Sequence, residues 1–172
     1  VSRWIRRKTG ELFDWARSSA LRYHLVRGVC CGDEFVQTVA ARYDLERFGA
    51  QPEGDHRIAD VLVVLGAVSA HAAADLEKLY QEMPEPKWVM AVGTCACSGG
   101  VFSPDCGGEA IPGIGSVVPV DVFIPGCPPR PEAIIDGWIQ LQAKVRGIEG
   151  PMNVKKRRVP RENLLEEEWS AP

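Results

Sequence analysis

Three apolar runs, each closed by a glycine, mark the chain after residue 60: DVLVVLG (60–66), KWVMAVG (87–93) and VDVFIPG (120–126). Their hydrophobic residues are consecutive rather than alternating, the pattern of parallel strands covered on both faces. Helical spacing near 69–83 separates the first two runs, and a second helical stretch covers 131–147. This succession predicts one α/β domain, a doubly wound parallel sheet with helices on both faces. RYDLERFGAQ (42–51) adds a helix end and one more strand with a weaker pattern. In residues 4–26, Trp4, Ile5, Leu12, Phe13, Trp15, Ala16, Leu21 and Leu25 recur at helical spacing among Arg and Lys, interrupted by Gly10. That pattern predicts an amphipathic segment packed on its own domain or docked on a partner or membrane surface. Beyond Gly150 the chain turns polar, with KKRR at 155–158 and EEEW at 166–169. The predicted divisions are a docking segment over 1–26, a domain over 27–148 and a polar tail over 149–172.

Composition narrows the function classes. At 172 residues the chain suits one domain with a substantial core. The balance of 20 Lys+Arg against 23 Asp+Glu offers no field for nucleic acid. The longest apolar stretch, ADVLVVLGAVSAHAAADL, contains Asp60, Ser69 and His71 and falls short of a spanning helix. The basic N-terminal stretch lacks an apolar core and a small-residue cleavage site, so no secretory signal is expected and the cytoplasm is the default compartment. There, six cysteines point to metal ligands, catalytic thiols or buried small hydrophobes rather than disulfides.

Ligands of open parallel sheets sit outside the carboxyl ends of the strands. Cys95 follows KWVMAVG by two residues and Cys127 directly follows VDVFIPG, so both belong to that edge. Cys30 and Cys31 stand side by side between Gly28 and Gly32, where a turn is expected to aim both thiols at one target. Four converging thiolates suit Zn²⁺ or a [4Fe–4S] cluster. Structural zinc sites pair cysteines two to four residues apart on knuckles, a spacing not repeated here, and a larger cluster better tolerates dispersed ligands. Free cysteine also often only packs in a core. That is the reading for Cys97 and for Cys106 in SPDCGGE.

The stretches CCGDE, DLERFG, RIAD, EPKWVMAVGTCACSGGVF and VPVDVFIPGCPPRPEA, in that order, resemble the 20 kDa, PSST-type subunit family of respiratory complex I, the iron–sulfur subunits of NADH-quinone oxidoreductase, itself related to the small subunits of [NiFe] hydrogenases. The resemblance covers roughly residues 12–147. It implies a flavodoxin-like domain holding the terminal [4Fe–4S] cluster before quinone, with Cys30, Cys31, Cys95 and Cys127 as ligands. It further implies a carboxylate at Glu34 near the quinone cavity, an Asp44–Arg47 pair in DLERFG, and Arg57 as a fixed cation near the cluster. Such a cation favours the reduced form. His56, beside it, is of a type that titrates near neutral pH.

The implied partners are a large catalytic (49 kDa-type) subunit, a ferredoxin-like iron–sulfur subunit and a membrane subunit. The chain would then be a peripheral member of a hetero-oligomer on the cytoplasmic side of the membrane, or the matrix side in an organelle, inactive alone within a proton-translocating oxidoreductase. Gly32 and Asp33 replace bulkier residues, QPEGDH lacks a serine–proline step, GAVSAHAAADL lacks a lysine–methionine pair, and VFSPDCGG replaces a tyrosine-bearing segment. GAVS and SGGVF resemble the energy-converting hydrogenase branch, whose motif begins C-x-x-C, whereas Gly28 occupies that first position here. Three readings follow: a quinone-reductase subunit, a small subunit of an energy-converting [NiFe] hydrogenase or ferredoxin-linked complex, and a non-redox zinc- or thiol-bearing α/β interaction module.

Overall fold

The computed structural model describes residues 12–147. The part of the docking segment before residue 12 and the polar tail, with its KKRR and EEEW blocks, lie outside them. Five parallel strands form one sheet: β1 (Leu21–Val26), β2 (Ala50–Pro52), β3 (Val61–Leu65), β4 (Trp88–Val92) and β5 (Val122–Ile124). Their spatial order is β2-β1-β3-β4-β5, the doubly wound order of flavodoxin-like sheets. The helices are α1 (residues 12–18), α2 (Val29–Val39), α3 (Ala70–Glu82), α4 (Thr94–Ser98) and α5 (Pro131–Val145).

β3 shows why the apolar runs are unbroken. Val61, Val63 and Leu65 enter a core with Phe35 of α2 and Ile134, Trp138 and Leu141 of α5. Leu62 and Val64 point the other way, into a core with Leu76 of α3, Val89, Ala91 and Ile114. No side chain of this strand is more than 1% exposed. Burying each of these side chains contributes about 1.5–3 kcal/mol, so both helical layers hold the central strand. On the first face Tyr23 meets Phe35 and Trp138 edge-on, with centroids 5.6 and 5.8 Å away, a favoured aromatic geometry.

Two expectations change. The helical pattern does not run to residue 26, because Leu21–Val26 is a strand paired with both β2 and β3. Leu21 and Tyr23 are buried there, and their period-2 spacing is masked by neighbouring leucines at helical intervals. The tandem cysteines also lie in the first turn of α2 rather than in a loop. Gly28, with φ −95°, needs no special backbone freedom. A Cβ on it would stand 2.1 Å from the Leu65 carbonyl oxygen, so glycine is required for the close approach of α2 to β3.

Candidate metal centre

All four candidate ligands follow carboxyl ends of strands: Cys30 and Cys31 follow β1, Cys95 follows β4 and Cys127 follows β5. Helix geometry answers how adjacent thiols can serve one site. Successive side chains on a helix diverge by about 100°, against the opposite faces of a strand. Cys31 thus turns inward at 2% exposure while Cys30 remains exposed. Cys95, in the first turn of α4, is buried, and Cys127 is exposed. Two thiols therefore face the domain and two face outward, and α2 and α5 direct their N-terminal ends, where the helix dipole favours negative charge, toward this edge.

The four groups lie within electrostatic reach of one another. Burial first, then the charge of the neighbouring Cys30 and a side-chain hydrogen bond with it, then Cys95 and Cys127, together push the Cys31 thiol up to about 12 from its ordinary 9.0. Cys95 is raised by burial first, then by Cys127 and Cys30. A group that draws the protons off these thiols and disperses their charge fits this donor set, because metal ligation and thiol deprotonation are linked. Among the described residues no three His, Cys, Asp or Glu side chains are placed around a single metal ion.

Close backbone approach makes room for the sulfurs. Gly93 has φ +95° and ψ 151°, a conformation essentially confined to glycine, and a Cβ there would lie 2.4 Å from Cys31 Sγ. Thr94, not singled out in the sequence, joins two of the ligand loops. Its N–H donates to the Gly126 carbonyl at 2.8 Å and its hydroxyl to the same oxygen at 3.1 Å, while the Gly126 N–H donates to the Thr94 hydroxyl at 3.3 Å. The available signal was that Thr94 and Gly126 each immediately precede a candidate ligand. Cys97 is half-buried against the Ala91 carbonyl at 3.8 Å, and burial pushes its thiol up to about 11. Cys106 sits exposed on a short 3-10 turn over Pro104–Cys106.

Of the other site candidates, only Glu34 accompanies the cysteines. It stands half-buried on α2, one turn beyond Cys30. Arg57 is corrected. Its loop joins the end of β2 to the start of β3, and its Nε lies 3.7 Å from Glu82 at the C-terminal end of α3. Because α3 runs from the carboxyl end of β3 back toward the start of β4, Glu82 and the Arg57 beside it stand toward the amino edge of the sheet. His56 shares Glu82, at 2.9 Å. Asp44 and Arg47 also stay at the amino edge, in the turn before β2. No salt bridge joins them among the described residues: the Arg47 N–H donates to the Asp44 carbonyl at 3.1 Å, and the guanidinium lies 5.3 Å from the Phe48 ring centroid.

The profile of the family described as NADH ubiquinone oxidoreductase, 20 Kd subunit, matches residues 29–141. The chain belongs to this family. Similar members include an NAD(P)H-quinone oxidoreductase subunit of Microcystis aeruginosa, 47% identical over 135 residues, covering 78% of this chain and 54% of that protein. An NADH-quinone oxidoreductase subunit of Heliobacterium modesticaldum is 42% identical over 137 residues, covering 78% of this chain and 77% of that protein. The chain spans about half the length of the NAD(P)H-quinone oxidoreductase subunits it matches. Among solved structures, a chain of the membrane-bound sulfane sulfur reductase, an archaeal respiratory membrane complex, aligns with TM-score 0.72 and 36% identity, covering 81% of this chain and 77% of that one. Family membership and this likeness agree with the flavodoxin-like fold expected from the motifs.

Proposed function

We propose that this chain is the electron-transfer subunit of a complex-I-type, membrane-associated oxidoreductase. It holds one [4Fe–4S] cluster on Cys30, Cys31, Cys95 and Cys127 and delivers electrons to a quinone at its interface with a large catalytic subunit. The observation that carries this reading is the convergence of those four thiols on one sheet edge in a member of the 20 kDa subunit family. When bound, the cluster supplies one-electron storage. The chain's own residues do the remainder: the buried Cys31 and Cys95 and the exposed Cys30 and Cys127 would hold the group, and Gly93 lets the backbone pass beside the Cys31 sulfur. Glu34, one turn from the ligands on α2, is the carboxylate that would stand near the quinone.

Electrons arrive from a ferredoxin-like iron–sulfur subunit, and a membrane subunit anchors the assembly and translocates protons. The chain is inactive alone and sits peripherally on the cytoplasmic side of the membrane, or on the matrix side in an organelle. No helix among the described residues is long and apolar enough to cross a membrane.

The 36% identity to a sulfane sulfur reductase chain favours a second reading, in which the same cluster serves an acceptor other than quinone; in the hydrogenase alternative the large partner would carry nickel. Gly32 and Asp33, beside the tandem cysteines, are where acceptor contacts would differ. The test is iron, sulfide, zinc and nickel analysis with redox-poised EPR on the complex purified anaerobically through this chain, followed by turnover with quinone and with polysulfide. One cluster signal with quinone turnover and no nickel is the expected result. Zinc without iron overturns the redox reading, whereas polysulfide turnover establishes the second one and nickel the hydrogenase alternative.

A further inference from the structure

The loops bearing Cys95 and Cys127 come from neighbouring strands, β4 and β5, and nothing in the strand pairing itself dictates how far apart the two sulfurs stand. β5 is a three-residue edge strand, paired on one side only, so its carboxyl end needs another restraint. The restraint present is Thr94. It takes Gly126 on three hydrogen bonds, two of them through its hydroxyl, which acts as donor to the Gly126 carbonyl and acceptor from the Gly126 N–H. The preceding residue continues the tie, its N–H donating to the Ile124 carbonyl at 2.8 Å. The residues that follow Thr94 and Gly126 are the two candidate ligands.

We infer that Thr94 is a positioning residue for the metal centre: its hydroxyl locks the Cys95 and Cys127 loops in one register and engages the Gly126 N–H. This rests on the cluster reading above. The structural chemistry is specific to a hydroxyl. Valine has nearly the same shape but neither donates nor accepts, and would leave the half-buried Gly126 peptide without its side-chain partner. The freed N–H next to Cys127 can then turn toward sulfur. Hydrogen bonds to cluster sulfurs are among the factors that set reduction potential. Serine preserves both hydrogen bonds and removes only a methyl group.

The experiment compares wild type, Thr94→Val and Thr94→Ser in the complex purified through this chain. It measures iron and sulfide per chain, the EPR g-values and midpoint potential, and the rate of iron loss to a chelator. Thr94→Val is expected to release iron roughly 5–30-fold faster, the factor attached to one or two hydrogen bonds, with displaced g-values and midpoint. Thr94→Ser is expected to match wild type. A valine variant identical to wild type in all three readouts overturns the inference. So does a serine variant as altered as the valine one, because the lost methyl and not the hydroxyl would then be responsible. If the wild-type complex carries no iron, the cluster reading fails on its own. Amide exchange at Gly126 then decides the clamp, with an increase of about fivefold or more in Thr94→Val supporting it and unchanged protection overturning it.

Discussion

Gly93→Ala separates what the backbone of the site requires from what the metal requires. Gly93 sits at φ +95° and ψ 151°, where a non-glycine residue costs about 1–3 kcal/mol. The new methyl would also stand 2.4 Å from Cys31 Sγ, well inside contact distance. The sulfur is the far end of a short side chain, so it can swing away for about 0.5–1.5 kcal/mol of rotamer strain. The metal-free chain should therefore lose about 1.5–4.5 kcal/mol and still fold, while its Cys31 thiol no longer points at the other three. Gly107 provides the comparison. It too has a positive φ, +78°, but a Cβ there meets nothing within 4 Å, so its alanine variant carries only the left-handed strain of about 1–2 kcal/mol. Urea denaturation and iron content, measured on both variants, should diverge: a modest stability difference beside near-complete loss of iron in Gly93→Ala alone. Full iron with an unaltered EPR signal in Gly93→Ala, or equal iron loss in Gly107→Ala, would refute the reasoning.

Other consequences follow from the same geometry. Cys127→Ser should abolish or shift the cluster signal, whereas Cys106→Ser, on an exposed 3-10 turn outside the four converging thiols, should leave iron content and spectrum unchanged. Arg57→Ala should leave the midpoint potential where it is, because its guanidinium pairs with Glu82 at the opposite edge of the sheet; a redox titration showing a shift comparable to that of a ligand variant would contradict the placement. Alkaline pH should weaken the metal-free fold. Burial, with Glu46 contributing, pushes the Tyr23 hydroxyl up to about 12 from its ordinary 10.0. Its contribution is thus complete below pH 10 and disappears as pH rises toward 12. Urea midpoints in Tyr23→Phe should fall less than in wild type over that interval.

The carboxyl edge was legible in the chain because short-range rules govern it. Unbroken apolar runs demand cover on both faces, glycine ends a strand, and a residue placed just after that glycine stands at the ligand edge whatever else the fold does. That logic alone puts Cys95 and Cys127 at the edge, and the glycines flanking Cys30 and Cys31 made the tandem pair candidates before the family motifs agreed. The first strand was obscured because Leu21, Leu25 and their neighbours satisfy a helical spacing as well as a strand's. Only pairing with β2 and β3, a contact between distant segments, selects the strand. The same nonlocality governs the surroundings of Arg57, Asp44 and Arg47. A motif says which residues accompany one another in sequence, but a crossing helix carries the chain from one edge of the sheet to the other, and the edge decides what a side chain can touch. Thr94 shows the converse. Nothing in GTCA reveals a partner 32 residues away, because hydrogen bonds between two strand ends exist only once the sheet has aligned them. Local pattern thus determined the strands, the layers and the ligand types; tertiary pairing decided which side chains share an edge and how two ligand loops are held in register.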